Sequence, residues 1–458
     1  MRNRLWLTAL ALALIAGACS GDDGETSVQG PVADSTAEPE DSPEPDEPEP
    51  EPEAPEEPEA LPASFRGVTE TTVKVGVAVP DFDALQAAGI PNYQGSAEIA
   101  FQAFFDKINE EGGIFGRMID PVYEVFDFVV PETQDAACSR LTEDREVFIV
   151  LYGLLGDSNL CLTNLQDTMV MTRSFQTSAL RDQAEVMWLQ LNAIDDDRTR
   201  VMGQVLAESG RLDGKTVAIL VSEAQSDSGE GAVLQEALAE FGIEAKVAVG
   251  TAPGGDSIAR DADLALIAEG FRVDGVDFVF DLFGGGDTAG VFAGAGFTPQ
   301  FAFKALGASI DGTPERSLLD GALSVSEINE QAIFADADFQ TNCMDVVRAA
   351  NPDLVDEMSF LPTGDQQGAG EPNWVNPVMI ACDQTRLLDA LGEIAGADLS
   401  NDSFQAALDE LGPFDLYGYG QASFNSESKW DGLDEFYIQE YDAATDTIEV
   451  LEAVVVDR

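Results

Sequence analysis

The residues able to do chemistry are unevenly supplied. The chain has no histidine, which removes Ser-His-Asp and Cys-His nucleophilic arrangements and any imidazole-bearing zinc site. No G-x-S-x-G elbow occurs either. Hydroxyls, amides, carboxylates and thiols remain, and paired carboxylates alone can run hydrolysis, so an exported hydrolase stays among the function classes. Asp195-Asp196-Asp197 reads as the first turn of a helix, where acids face the positive end of the dipole, rather than as a calcium site. Gly284-Gly285-Gly286 lacks the following G-K-[ST] and the Rossmann spacing. It reads as a turn that lets backbone approach a cleft. No metal and no cofactor is expected. Apart from Cys19, the thiols are Cys138, Cys161, Cys343 and Cys382. An even number in an exported domain points to two disulfides, four free thiols being the other reading.

The polar candidates sit in loops after strands. Gly153-Leu154-Leu155-Gly156-Asp157-Ser158-Asn159 follows one strand. Backbone N–H groups and a hydroxyl at a helix N-terminus suit an anion, a role for Ser158, whereas Asp157 favours an amine or a hydroxylated ligand. The other reading is that both cap a helix. Thr172 to Thr177, Gln225 to Gly231 and Phe283-Gly284-Gly285 follow later strands. Tyr93 and Trp374 are the aromatic candidates. Trp374 falls in a long loop, Leu361 to Pro377, of a kind that is often functional; it is either a lid wall or an exposed packing residue.

The elements that must position these groups are readable from periodicity. Val73, Val75, Val77 and Val79 alternate as a strand requires, and Pro80-Asp81 ends it. Ser96 is the expected cap of a helix carrying Ala97, Ala100, Phe101, Phe104 and Ile108 at helical spacing. Gly112-Gly113 stops that helix. Asp120 to Phe128 is the next strand, which completes a βαβ unit and implies an α/β domain. Strands follow over 147–152, 168–172 and 186–191, and the pattern restarts at Lys215 to Val221. A helix over 232–241, a strand over 245–249 and a helix over 256–269 come next, then strands over 276–283, 301–305 and 322–325. Two doubly wound halves in tandem result. Ligands of open α/β sheets sit outside the carboxyl ends of the strands, so two such edges facing each other make a cleft.

Arg2 and Arg4 precede an apolar run, Leu5 to Ala18, too short to span a bilayer and fitting a signal peptide. Ile15-Ala16-Gly17-Ala18-Cys19 resembles a lipobox, which implies cleavage before Cys19 and a lipid on its thiol. From Asp22 to Pro62 proline alternates with Asp and Glu, the composition of an extended, disordered tether. The formal net charge is -62. It excludes nucleic-acid binding, which needs basic patches, and suggests a salty exterior, where ions screen self-repulsion.

Tyr93-Gln94-Gly95, the helix after it, and Ile108-Asn109-Glu110-Glu111-Gly112-Gly113-Ile114-Phe115-Gly116-Arg117 together resemble the start of a type I periplasmic solute-binding protein. More narrowly, they resemble the branched-chain-amino-acid group of ABC-transporter receptors. The resemblance implies an α/β fold of two doubly wound (Rossmann-like) lobes with a hinge of three crossovers, near Ala193, Ile328 and Leu416. It divides the chain into a signal peptide (1–18), a tether (19–65), one lobe from 66–193 with 328–415, and a second from 194–327 with 416–458. It implies a protein at the outer face of the cytoplasmic membrane that is not an enzyme. Its task would be to capture an amino acid or similar small polar solute and hand it to ABC permease subunits; a sensory receptor of the same fold is the alternative. Disulfides are expected between Cys138 and Cys161, where the group often has one, and between Cys343 and Cys382. The expected ligand-binding set is Tyr93, Asp157, Ser158, Thr172, Phe175, Thr177, Ser228 and Phe283. Thr177 matches the family in type, Phe175 does not match clearly, and Ser228 and Phe283 stand where tyrosines are usual. Those departures point away from a plain branched-chain amino acid.

Overall fold

The structure, a computed structural model, describes residues 61–87, 94–128, 130–173, 177–223, 229–251, 257–283, 287–354, 371–426 and 430–456. Cys19, Tyr93, Phe175 and Ser228, the expected signal peptide and all but the last five residues of the expected tether lie outside them.

Two sheets organise these residues. The first contains β1 (Thr72–Pro80), β2 (Met118–Phe126), β3 (Ile149–Tyr152), β4 (Met169–Thr172) and β5 (Trp188–Gln190). All are parallel, in the order β2-β1-β3-β4-β5. The second contains β6 (Val217–Ser222), β7 (Ala245–Gly250), β8 (Phe278–Asp281), β9 (Gln300–Phe303) and β10 (Leu323–Ser326). A short pair follows, β11 (Phe414–Leu416) and β12 (Gly420–Ala422), and then β13 (Glu435–Asp442) and β14 (Thr447–Val455) complete the second sheet. Its order is β14-β13-β10-β9-β8-β6-β7, antiparallel only at the β13 and β14 edge. One apolar core runs continuously from the first sheet and its helices to the second, from Val75 and Val77 through Leu191 and Val201 to Ile219 and Phe280. A separate cluster fills the outer face of each sheet. β1 is buried on both faces, Gly76 and Ala78 included, because a parallel strand is covered by helices on each side.

The first helix, Ala97–Glu110, starts where Ser96 accepts the N–H of Ile99 at 3.2 Å. Past its end Gly112 and Gly113 take φ of 117° and 77°. A Cβ on Gly113 would lie 2.1 Å from the Arg117 carbonyl oxygen, so only glycine lets the chain fold back there. The turn delivers Arg117, whose side chain is fully buried. Its guanidinium donates to the carbonyls of Thr69 (2.8 Å), Pro62 (2.7 Å) and Ala397 (2.8 Å). The run that carried the resemblance thus builds a structural tie. It also anchors the far end of the expected tether, where Ser64 donates to the Leu399 carbonyl at 2.8 Å.

Three crossovers join the lobes: after Gln190, after Ser326, and between Leu416 and Glu435. Two buried carboxylates knot them together. Glu327 of the second accepts the Ala193 N–H of the first at 2.8 Å. Asp431 of the third accepts the Ile194 N–H at 3.0 Å. Backbone bonds between Gln190 and Trp430 and between Gly432 and Gln190, both 2.9 Å, lay the third crossover along β5.

The acids Asp195 to Asp197 open helix Asp195–Glu208. Asp195 pairs with Lys304 at 3.2 Å, and Asp196 accepts the Ser178 N–H at 2.9 Å. Cys138 and Cys161 are joined, with Cα atoms 6.2 Å apart, as are Cys343 and Cys382 at 5.6 Å. Cys161 lies within helix Asn159–Leu165 rather than in the loop after β3. Trp374 departs further from expectation: it is 4% exposed, immediately before the long helix Val375–Ala395. A Cβ on Gly95 would touch its indole at 2.3 Å, so it is a packing residue and not an exposed one. Among the described residues no helix is long and apolar enough to cross a membrane.

Candidate functional site

The carboxyl ends of the first sheet's strands open onto a cavity of about 400 Å³. Pro80 ends β1, Phe126 ends β2, Tyr152 ends β3, and Arg173 follows β4; all four line it. β10 ends in Ser326, the crossovers supply Asn192, Glu327 and Ile328, helix Asp195–Glu208 supplies Arg198, and helix Val375–Ala395 supplies Asn376. The volume is that of a small-molecule pocket, which typically spans about 300–1,000 Å³.

Local backbone shapes one wall. Tyr152 takes φ 66° and Gly153 φ 71°. The left-handed region costs a non-glycine residue roughly 1–2 kcal/mol, so surrounding bonds must hold Tyr152 there. Gln384 accepts its N–H at 2.8 Å. Asn159 accepts the Leu154 N–H at 2.8 Å and donates to the Leu154 carbonyl at 2.7 Å. The chain therefore turns back at once and presents Leu154 and Leu155 to the cavity. Phe82, Phe126 and Phe128 add apolar lining, with centroids 5.5 Å (Phe82–Phe128) and 5.7 Å (Phe126–Phe128) apart.

Charge enters through two arginines. Arg173 is half-buried, donates to Asn376 Oδ1, and lies 5.9 Å from the centre of the Tyr419 ring. Burial works against its charge, but Tyr419, Tyr152 and Glu327 around it hold its pKa above the ordinary arginine value. Arg198 donates to the Lys304 carbonyl at 2.6 Å and faces Glu327 Oε2 at 3.8 Å. Its Nε–H and the Asn192 Oδ1 have no hydrogen-bond partner among the described residues. Both atoms are shut off from solvent, and a buried polar group left unpaired is costly.

A larger groove of about 610 Å³ adjoins the cavity and shares Arg198, Ser326 and Ile328 with it. Its own cations are already engaged. Lys304 pairs with Glu230 at 2.9 Å and Asp195 at 3.2 Å, and Arg316 pairs with Asp446 at 2.7 Å.

None of the five described residues of the expected set lines the cavity. Asp157 is exposed on the short helix Gly156–Ser158, and Ser158 is half-buried at the start of helix Asn159–Leu165 without capping it. Thr172 is buried, and its hydroxyl accepts the Trp188 indole N–H at 3.0 Å. Thr177 caps helix Ser178–Arg181 through the Leu180 N–H at 3.3 Å. Phe283 packs in the outer core of the second sheet, against Gly250. Leu154, Leu155 and Arg173, which do line the cavity, belong to two of the expected loops. The available signal for Arg173 was a base directly after a strand in a chain with 23 bases against 85 acids. Among the described residues no group of three acids or cysteines converges as a metal site would require.

No protein-family model and no curated protein matches this sequence. Solved structures do match the fold. A solute-binding protein of an ABC transporter from Rhodopseudomonas palustris BisB5, in complex with 3,4-dihydroxybenzoic acid, superposes with a TM-score of 0.57 at 14% identity, over 84% of this chain and 98% of that one. The leucine-binding protein LivK of Thermotoga maritima MSB8 gives 0.56 at 13% identity, over 84% and 99%. A fatty acid ABC-transporter substrate-binding protein from Thermomonospora curvata gives 0.57 at 15%, over 88% and 96%. The chain therefore has the two-lobed fold of the type I periplasmic solute-binding proteins of ABC transporters.

Proposed function

We propose that this protein is a lipid-anchored, extracytoplasmic receptor that captures a small organic acid, the amino acids among them, between two lobes and presents it to an ABC permease. The lobes are 66–193 with 328–415, and 194–327 with 416–458, and they close by rotation about the crossovers. No bond is made or broken. The observation that carries the reading is the cavity itself: it lies at the carboxyl ends of four parallel strands with residues of two crossovers in its lining, where closure of the lobes would seal it from water. Cys19 carries the lipid that holds the receptor at the outer face of the cytoplasmic membrane.

Protein purified without denaturation should release one small acid detectable by mass spectrometry, and that compound should raise the melting temperature when added back. Protein that carries nothing, and that no member of a panel of organic and amino acids stabilises, would overturn the reading. For the anchor, the Cys19→Ser variant should leave the membrane fraction and lose the acyl mass of the wild type.

A further inference from the structure

We infer that the cavity is built for a carboxylate that bears no ammonium group and has a flat apolar body, and that it discriminates against α-amino acids. The inference rests on the solute-binding reading above and narrows the class of solute.

The argument begins with sign. The chain has 85 acids and 23 bases, yet the cavity has two guanidinium groups, Arg173 and Arg198, and Glu327 as the single carboxylate among its described lining residues. An α-amino acid needs an anion for its ammonium as well as a cation for its carboxylate. Glu327 is not available for that task. One of its oxygens holds the Ala193 N–H at 2.8 Å and the other faces Arg198 at 3.8 Å. An ammonium entering this space would meet two cations and no free acid, and leaving it unpaired on burial is costly.

A carboxylate, by contrast, finds the guanidinium groups of Arg198, on helix Asp195–Glu208, and of Arg173, just past β4. Planar guanidinium forks suit a carboxylate's two oxygens. The rest of the ligand meets Phe82 and Phe128, both half-buried, and Leu154 and Leu155. Rings in tilted pairs at 5.5–5.7 Å accept another ring edge-on or offset.

The test is a calorimetric titration of the full-length protein, stripped of bound ligand, with a matched set. 3-Phenylpropionate is phenylalanine without its ammonium, and phenethylamine is phenylalanine without its carboxylate. Benzoate and 4-hydroxybenzoate test the shorter body and the ring hydroxyl. We expect an aryl carboxylate to bind at least tenfold more tightly than L-phenylalanine and L-leucine, and phenethylamine to show no heat. Arg198→Met should remove at least tenfold of that affinity from a chain that still melts cooperatively, at a somewhat lower temperature because the bonds to Lys304 and Glu327 are lost, and Arg198→Lys should recover part of the affinity. An amino acid that binds as tightly as the aryl acids, or a natively released ligand carrying an ammonium, would overturn this inference while leaving the solute-binding reading intact. No released ligand and no binding by any organic or amino acid would overturn both.

Discussion

Glu327 Oε1 accepts the backbone N–H of Ala193 at 2.8 Å across 134 residues of sequence, and so binds the second crossover to the first beneath the cavity. Glu327→Ala would leave that buried N–H unpartnered. The expected loss is about 1–3 kcal/mol of unfolding free energy, read from urea denaturation. Glu327→Gln keeps an acceptor oxygen and forfeits only the ion pair to Arg198, so its loss should be smaller. Equal losses in the two variants would show that the hydrogen bond is not what matters.

The two disulfides close loops of 23 and 39 residues by sequence separation. In the chain-entropy account these stabilise by roughly 3.5 and 4 kcal/mol. The paired variants Cys138→Ser/Cys161→Ser and Cys343→Ser/Cys382→Ser should each lower the denaturation midpoint, the second by slightly more. Midpoints unchanged from wild type under non-reducing conditions would show that the bridges contribute nothing.

Asp383 is fully buried in helix Val375–Ala395 and accepts the N–H groups of Tyr417 (2.9 Å) and Gly418 (3.0 Å). Burial pushes its pKa up to about 6 against these bonds and against Arg386. An acid whose folded pKa is raised holds its proton longer in the folded chain than in the unfolded one. Stability from this site is therefore full below about pH 4 and falls as the pH rises through about 6, by roughly 3 kcal/mol. Asp281, pushed up to about 6 by burial at the end of β8, adds a slope of the same sign. Asp383→Asn should be less stable than wild type in acid, because one N–H loses its acceptor, and the gap should narrow between pH 4 and pH 7. Parallel stability curves would exclude the coupling.

Gly153→Ala tests the turn that aims Leu154 and Leu155. A Cβ there would sit 2.3 Å from Thr172 Cγ2, and φ is 71°. The expected result is a fall of several degrees in melting temperature and a loss of ligand affinity. Adding Thr172→Ser removes the clashing methyl and keeps the hydroxyl that meets Trp188. The double variant should recover part of the loss, leaving the roughly 1–2 kcal/mol of left-handed backbone strain. No recovery would mean the methyl contact is not the obstacle.

How much of this was legible in the sequence differs by level. β1, helix Ala97–Glu110 and the turn to Arg117 were readable because short-range periodicity and glycine chemistry determine them. The five parallel strands of the second sheet, β6 to β10, were readable for the same reason, whereas the antiparallel β13 and β14 were not among the expected strands. The cavity was not, because its groups come from Phe82, Phe128, Arg173, Asn192, Arg198, Glu327 and Asn376, which only the packed fold unites. A search for hydroxyls after strands found Thr172 and Thr177, and both are occupied locally, one by Trp188 and one by a helix start. Trp374 misled in the opposite direction. Its polar neighbours in sequence suggest exposure, while Gly95, far away in the chain, makes room for it inside.

The two arginines of the cavity lie within a chain of net charge -62, and this shapes the kinetics of capture. A carboxylate diffusing toward Arg173 and Arg198 first crosses a repulsive field, which low salt extends over tens of ångströms and high salt confines to a few. Association should therefore speed up as salt is added, the reverse of ordinary electrostatic steering. Dissociation, governed by contacts inside the cavity, should change far less. Such a receptor loads fastest in brine.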